Sequence, residues 1–287
     1  MKVIIIGANG QLGSDLCQEL KMYLVIPLLH RDIEVSDMES VKKVIQINRP
    51  DAVVNTAVCH TDDSETNPDK AYRVNALGAR NIAVMAQEVG AKLIYVSSDY
   101  VFGADEQCNV PYNEFDFPAP INICGRSKLA GEIFVQQFCQ KHFIIRTSAL
   151  FGVAGSSGKG GNFVETMVKL AKEREELRVV NDQITSPTYT KDLARKITQL
   201  INTQYYGTFH ITNRGACSWY EFTREILKQT GSKTPVIPIS SAEYPTPAKR
   251  PRFSVLDNYN LRLLAMDDMR LWQDALKDYL RAKGYTK

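Results

Sequence analysis

The sequence has little net charge and no long apolar run. Its 35 basic and 32 acidic side chains leave a net charge of +3, which is too small to indicate a nucleic-acid partner, and no basic run is interleaved with aromatic residues. No apolar stretch approaches the length of a membrane-spanning helix. The first predicted strand begins at residue 2, which leaves no room for a secretory signal. We therefore expect a cytoplasmic protein that binds neither nucleic acid nor membrane.

Paired cysteines and metal-binding motifs are also lacking. The six cysteines show no C-x-x-C spacing, so we interpret them as reduced thiols that mostly fill the core. Of the four histidines, His30 and His60 have no second ligand at a suitable spacing. The sequence therefore predicts neither a disulfide framework nor a metal site.

The N-terminus carries the first positive signal. Residues 2–6 are a β-branched apolar run typical of a buried parallel strand. They lead into the turn GANGQLG (residues 7–13), after which leucines recur at helical spacing. A strand, a glycine turn and a helix in this order bring backbone N–H groups and a helix N-terminus to a pyrophosphate. We interpret the motif as a dinucleotide-binding turn rather than a plain turn.

Strands and helices alternate through the first half of the chain. Apolar runs predict further strands at residues 24–29, 51–55, 92–97 and 143–148, separated by helices that include residues 69–89 and 127–140. This alternation predicts an α/β fold, a Rossmann-like doubly wound parallel sheet with its ligand crevice beyond the carboxyl ends of the strands.

The second half is less regular, and it contains no linker that would separate independent domains. Residues 152–161 are rich in Gly and Ser and predict a mobile loop, and helices are expected at residues 162–175, after Ser218 and at residues 269–281. We assign residues 1–155 to the dinucleotide-binding domain, which also takes in part of 178–212. Residues 156–287 form a smaller α/β substrate lobe, interleaved with the sheet.

The segment ICGRSKLAGE (residues 123–132) resembles the active site of the short-chain dehydrogenase/reductase superfamily. There a Tyr-x-x-x-Lys pair places a phenol and an ammonium one helical turn apart. The ammonium lowers the phenol's pKa, and the phenol gives its proton to a carbonyl oxygen as hydride arrives from a nicotinamide. In this chain Cys124 stands where the pattern has tyrosine, four residues before Lys128.

Several segments together narrow the resemblance. They are RPDAVVNTA (residues 49–57), VSSDYVF (96–102), RTS (146–148), VNDQ (180–183) and YPTPAKRP (244–251), besides the glycine turn and residues 125–132. With these motifs the chain resembles the dTDP-4-dehydrorhamnose reductases over nearly its whole length. The resemblance implies an NADPH- or NADH-dependent reductase of a nucleotide-activated 4-keto-6-deoxy sugar, present as a monomer or homodimer.

The resemblance also implies which residues bind the cofactor. They are Gly7, Gly10, Gln11, Leu12, Gly13, Arg31, Asp32, Ile33, Thr56, Ala57, Val58 and Lys128. The choice of nicotinamide stays open, because Asp32 or Glu34 suits a ribose diol whereas Arg31 suits a 2′-phosphate.

For the chemistry, the resemblance implies Ser98, Cys124 and Lys128, with Ser98 as the hydroxyl that binds the substrate ketone. The alternative for Ser98 is a strand-end hydroxyl that satisfies its own loop. The implied substrate contacts are Ser98, Asp99, Tyr100, Asn162, Gln183, Thr188 and Arg250. Arg250 suits a pyrophosphate because its planar fork binds oxyanion pairs, although a solvated Lys249-Arg250 pair is the alternative. In the family's pattern a tryptophan often follows the RTS segment, whereas in this chain Ala149 stands there.

Two functions are compatible with these residues. A thiol ends short of where a phenol oxygen would lie, so Cys124 or one ordered water must protonate the ketone if the protein is a reductase, with the product of the dTDP-rhamnose type. Alternatively, the chain is a catalytically impaired dinucleotide-binding protein, similar to the regulatory subunit of methionine adenosyltransferase. We favour the enzyme, because the rest of the site is retained.

Overall fold

The computed structural model describes residues 1–155 and 161–286. Half of the loop predicted at residues 152–161, residues 156–160, therefore lies outside the described residues. The strands are β1 Lys2–Ile6, β2 Leu24–Leu28, β3 Ala52–Asn55, β4 Lys92–Val96, β5 His142–Arg146, β6 Leu150–Phe151, β7 Leu177–Val180, β8 Ile184–Thr185, β9 Thr188–Tyr189, β10 Gly207–His210, β11 Cys217–Ser218 and β12 Val236–Ile239.

The first helix begins inside the glycine turn, directly after Gly10. The helices are α1 Gln11–Glu19, α2 Met38–Asn48, α3 Thr61–Thr66, α4 Pro68–Tyr72, α5 Gly78–Val89, α6 Ile123–Phe138, α7 Phe163–Glu173, α8 Thr190–Ile201, α9 Trp219–Thr230, α10 Tyr259–Leu263 and α11 Trp272–Ala282. A π-helical turn, Arg73–Leu77, joins α4 to α5. The helix expected at residues 69–89 is thus continuous but not uniformly α-helical.

Six parallel strands form the central sheet in the order β10-β5-β4-β3-β1-β2. Because β-branched and aliphatic side chains point to both faces of these strands, each face packs against its own layer of helices. One core lies between the sheet and α1 and α8, and the other lies between the sheet and α2 and α5. The predicted doubly wound α/β sheet is confirmed.

A third hydrophobic core packs together helices and strands from the second half of the chain. Aromatic rings of Phe151, Phe222, Trp272 and Tyr279 pack together there, and Phe151 stands 5.3 Å from the Tyr279 ring. β10, although it comes from the second half of the chain, pairs with β5 in the central sheet. The domain boundary near residue 155 stays a prediction, since it adjoins residues outside the described ranges.

Local sequence explains where α6 begins. The Asn122 side chain accepts a hydrogen bond from the Gly125 N–H at 2.8 Å, so the helix opens at Ile123 rather than at the expected residue 127. Cys124, Lys128 and Glu132 then follow at four-residue intervals, one turn apart on the same face. The early start is therefore what places Cys124 on the helix.

No helix in the described ranges is both long and apolar enough to cross a bilayer.

Candidate active site

A cavity of about 410 Å³ opens at the carboxyl ends of β1, β3, β4 and β5. This is the edge at which doubly wound sheets bind ligands. The residues that line it are Gln11, Leu12, Thr56, Val58, His60, Thr61, Val96, Ser97, Ser98, Asp99, Tyr100, Cys124, Lys128, Thr147, Ser148, Ala149, Leu150, Gln183, Ile184, Thr185, Trp219, Arg250, Pro251 and Ser254.

Each glycine of the turn has a different role. Gly7 has a φ of 82°, which side chains rarely adopt, and a Cβ there would lie 2.5 Å from the Thr56 hydroxyl. At Gly13 a Cβ would lie 2.2 Å from the Gly7 carbonyl oxygen, so only glycine lets α1 pack against the turn. Gly10 is different, because a Cβ would meet only the Gly7 carbonyl oxygen, at 3.3 Å. The turn is therefore closed at Gly7 and Gly13 and open at Gly10, which leaves room for a pyrophosphate.

The other residues expected to bind a cofactor divide into two groups. Gln11, Leu12, Thr56 and Val58 line the cavity, and the Ala57 carbonyl accepts a hydrogen bond from Lys128. Arg31, Asp32 and Ile33 follow β2 at the same edge of the sheet but do not line this cavity. The Arg31 guanidinium lies 3.8 Å from the exposed Asp32 carboxylate, and Ile33 is buried in the core.

Lys128 is buried behind the cavity. Its Nζ donates to the Val96 carbonyl at 2.9 Å and to the Ala57 carbonyl at 3.4 Å, and it lies 4.9 Å from the centre of the Tyr95 ring. Burial lowers the pKa of Lys128 to about 8, although Cys124 and Glu132 oppose this shift. The ammonium is thus held by backbone carbonyls at the ends of β3 and β4.

Cys124 lies one turn before Lys128 and is also buried. Burial raises the pKa of its thiol, although Lys128 acts in the opposite direction. The Thr61 hydroxyl lies 4.0 Å from the Cys124 sulfur. The thiol is therefore protonated at neutral pH and is a weak proton donor.

Ser98 both lines the cavity and organises its own loop. Its Oγ accepts a hydrogen bond from the Tyr100 N–H at 3.1 Å and donates to Asp99 Oδ1 at 3.0 Å. Asp99 also accepts bonds from Ser148 at 2.8 Å and Ser254 at 2.6 Å. Burial raises the pKa of Asp99, although these hydroxyls oppose it. Asp99 therefore fixes three cavity serines. Ser98 satisfies its own loop and also lines the cavity, and its role toward a ketone stays a prediction.

The expected substrate contacts are only partly brought together. Gln183 lines the cavity and donates to the Ser241 hydroxyl at 2.9 Å. Asn162 does not line it, because its side chain caps α7 and binds Tyr279 at 3.0 Å. Thr188 is fully buried on β9, and its hydroxyl donates to the Ser186 carbonyl at 3.0 Å. These two residues have structural roles in this arrangement.

Arg250 reaches the cavity with its guanidinium already engaged. It forms two hydrogen bonds of 2.8 Å with the Asp62 carboxylate and a third of 2.8 Å with the Ala248 carbonyl. Its side chain is 18% exposed, so it is not the solvated surface residue considered as an alternative.

Several cavity residues were not anticipated from the sequence. They include Thr61, Thr147, Ser148, Trp219, Pro251 and Ser254. Only tertiary packing brings the last three to the strand ends. For Trp219 the sequence does contain a signal of a cavity residue, because Trp219 follows the Ser218 cap of α9 and is one of only two tryptophans in the chain.

A buried ion pair supports the site from behind. Arg146, at the end of β5, donates to Glu132 on α6 at 2.7 Å, and the Ser97 hydroxyl donates to the same carboxylate at 2.5 Å. Both charged side chains are at most 5% exposed. The pair fixes α6, and with it Cys124 and Lys128, against the central strands.

The comparisons with known proteins agree with this geometry. The family described as the RmlD substrate binding domain matches residues 1–284. A spore coat polysaccharide biosynthesis protein of Bacillus subtilis is 40% identical, over 99% of this chain and 98% of the relative. The dTDP-4-dehydrorhamnose reductase of Escherichia coli is 35% identical, over 98% of this chain and 97% of that enzyme.

Solved structures are similar over almost the same length. The dTDP-4-dehydrorhamnose reductase of Bacillus anthracis in complex with NADP has a TM-score of 0.92 and 44% identity, with 98% of this chain and 99% of that chain covered. A UDP-glucose 4-epimerase of Thermus thermophilus in complex with NAD has a TM-score of 0.83 at 18% identity, over 98% of this chain and 99% of that one. The epimerase shares the fold alone.

Proposed function

This chain belongs to the RmlD family of dTDP-4-dehydrorhamnose reductases, and from that membership we propose that it reduces the C4 ketone of dTDP-4-dehydrorhamnose to give dTDP-rhamnose, with NADPH or NADH as reductant. The observation that carries the proposal is the single cavity into which the open glycine turn, Ser98 and Lys128 all converge. The product would enter the synthesis of a cell-surface polysaccharide, a proposal supported by the name of the Bacillus subtilis relative, a spore coat polysaccharide biosynthesis protein.

The residues present fit a nicotinamide dinucleotide. The turn is open at Gly10, α1 begins at the next residue, and its N-terminal N–H groups attract a pyrophosphate. Gln11 and Leu12 would contact the pyrophosphate, Thr56 and Val58 would contact the nicotinamide side, and Lys128 would bind the nicotinamide ribose. When bound, this group supplies the hydride.

The chain's own residues would hold the substrate and manage its charge. Ser98 would donate a hydrogen bond to the ketone oxygen. For this the Ser98 hydroxyl, which donates to Asp99 in this structure, would turn toward the ketone. The Lys128 ammonium, fixed by two carbonyls, would stabilise the negative charge that develops on that oxygen. Gln183 and Arg250 would contact the nucleotide diphosphate. The Arg250 guanidinium would either bind the diphosphate and Asp62 together or give up its hydrogen bonds to Asp62.

The proposal is tested by mixing the purified chain with NADPH or NADH and dTDP-4-dehydrorhamnose. We expect loss of the reduced nicotinamide absorbance and formation of dTDP-rhamnose, identified by mass spectrometry. Tight nucleotide binding without turnover, in this chain and in a Cys124→Tyr variant, would contradict the reductase and favour the dinucleotide-binding regulatory protein.

Activity should depend on the charge of Lys128. Because burial places its pKa at about 8, we expect turnover to fall as pH rises through about 8, where the ammonium is lost. In the unfolded chain the pKa of a lysine is about 10.4. Between about pH 8 and about pH 10.4 unfolding therefore takes up a proton at Lys128, so the contribution of Lys128 to the free energy of unfolding increases as the pH rises. A pH profile of turnover checks the prediction, with circular dichroism as the control for folding. A flat profile to pH 9.5 would contradict it.

Gly10→Ala should weaken dinucleotide binding while leaving the fold intact. Gly10 has φ and ψ of −75° and 167°, which alanine adopts freely, but the added methyl occupies the open side of the turn. We expect nucleotide affinity to fall by about tenfold, or 1.4 kcal/mol, in a calorimetric titration with NADPH. Gly13→Ala is the contrasting variant, because its Cβ meets backbone and the fold itself should be destabilised. Unchanged affinity in Gly10→Ala would argue against a pyrophosphate at this turn.

A further inference from the structure

The cavity retains a cation and a hydroxyl for the ketone but has no phenol at position 124. A thiol there is shorter than a tyrosine and ends farther from the ketone. The Thr61 hydroxyl lies 4.0 Å from the Cys124 sulfur and donates to it. Position 124 therefore offers a poor direct proton donor, and the other donors around the cavity decide whether the ketone can be protonated.

Most of the cavity hydroxyls direct their protons elsewhere. Ser98, Ser148 and Ser254 all donate to Asp99. The neighbouring phenol of Tyr95 is fully buried, donates to the Asn75 carbonyl at 2.8 Å and does not line the cavity. In the part of the chain that the structure describes, Tyr100 is thus the phenol that lines the cavity.

Tyr100 is held beside both Ser98 and Cys124 by its backbone. Its N–H donates to the Ser98 hydroxyl at 3.1 Å. Its carbonyl oxygen packs so closely on Gly125 that a Cβ there would lie 1.9 Å away. Tyr100 is therefore fixed between the residue that would bind the ketone and the residue that follows Cys124.

A cation accompanies this phenol. The Arg250 guanidinium is anchored by Asp62 and the Ala248 carbonyl, and it lies close enough to Tyr100 to oppose the rise in the pKa of that phenol. An arginine has no acceptor, so it does not take the proton of the phenol. Burial raises the pKa of Tyr100, and Asp99 adds to the shift while Arg250 opposes it. The phenol thus stays protonated throughout the neutral range, and a cation is in place to stabilise its anion.

Given the proposed reductase function, we propose that Tyr100 is the proton donor to the C4 oxygen of the substrate, in place of the phenol missing at position 124. The reduced nicotinamide, when bound, would supply the hydride from its own C–H bond, and the electrons of the C4 carbonyl π bond would move onto oxygen as the new C–H bond forms. The resulting alkoxide takes the proton of the Tyr100 hydroxyl, which breaks the O–H bond and leaves a phenolate beside Arg250. Solvent water then returns a proton to the phenolate.

The test is Tyr100→Phe in two backgrounds, the chain itself and its Cys124→Tyr variant, under single-turnover conditions with enzyme in excess. In the chain itself we expect the rate to fall by about 10²-fold, the lower end of what a positioned acid contributes. In the Cys124→Tyr background another phenol supplies the proton. There we expect a fall of about two- to tenfold, the effect of one lost hydrogen bond.

The outcomes separate the possible roles of Tyr100. An equal fall in both backgrounds means that Tyr100 is only a substrate contact, which overturns the inference. A chain that is insensitive to Tyr100→Phe but inactivated by Cys124→Ala uses the thiol, which also overturns it. Absence of turnover in every form, Cys124→Tyr included, removes the proposed function and the inference together.

If Tyr100→Phe does not fold, a fluorinated tyrosine placed at position 100 alone keeps the ring and hydroxyl while making the phenol more acidic. A proton donor changes its rate with acidity, so the single-turnover rate should change by several-fold in the chain itself. An unchanged rate would overturn the inference.

Discussion

Replacing Cys124 with tyrosine is expected to raise turnover by up to about 10²-fold, because a positioned general acid contributes about 10²- to 10⁴-fold and Tyr100 already supplies about 10²-fold of this. The side chain starts one helical turn from Lys128 and opens onto the cavity, so a phenol there would extend toward the ketone. The adjacent ammonium would lower its pKa, as a positive charge does for any acid. The buried thiol lacks this reach.

Steady-state assays with NADPH and dTDP-4-dehydrorhamnose measure this gain, and two variants serve as controls. Cys124→Phe fills the same space without a hydroxyl and should stay at or below the original rate. Cys124→Ser adds a hydroxyl without reach and should change the rate little. A gain shared by the Phe and Tyr variants would trace the effect to packing rather than to proton donation and would contradict the prediction.

Glu132→Gln is expected to destabilise the fold by about 3–5 kcal/mol, the usual effect of removing one partner from a buried ion pair. The Arg146 guanidinium would keep its charge in a site where its side chain is 5% exposed. His210 cannot replace the lost carboxylate. Its Nε2 lies 3.4 Å from the guanidinium, and burial followed by Arg146 lowers its pKa to about 3, so it is neutral.

Urea unfolding at neutral pH measures the loss, and Glu243→Gln is the matched control. Glu243 pairs with Arg178 at 2.9 Å, but the two side chains are 48% and 59% exposed, so its replacement should change stability far less than Glu132→Gln does. Replacing both members of the buried pair, in Glu132→Gln with Arg146→Met, should recover part of the loss. Equal effects of the two single variants would show that burial adds nothing to the Glu132–Arg146 pair.

The central sheet could be predicted because its signals are local. Short β-branched runs followed by turns identify five of its strands to within about two residues, and the glycine spacing identifies the first turn. The remaining elements carry weaker local signals. β12 reads Val-Ile-Pro-Ile, half exposed and with a proline, so the sequence offers no clear strand pattern until β7 pairs with it.

The cavity was predictable where chemistry lies at strand ends and less so where it comes from the second half of the chain. Ser98, Cys124 and Lys128 were expected together, and the structure brings them to one cavity. Asn162 and Thr188 were assigned by resemblance, but a helix cap and a buried strand hydroxyl use the same side chains for folding. Ser254 and Trp219 depend on long-range packing, which no spacing along the chain encodes.

The alignment of Cys124, Lys128 and Glu132 on three successive turns of α6 has a consequence for variants of this chain. Glu132, which anchors α6 through its ion pair with Arg146, lies two turns from Cys124, the position at which a tyrosine is expected. Exchange at position 124 therefore leaves the contacts of the Glu132–Arg146 pair in place. Cellular abundance of variants at Glu132 would report on the architecture, whereas variants at position 124 would differ mainly in how fast the reaction proceeds.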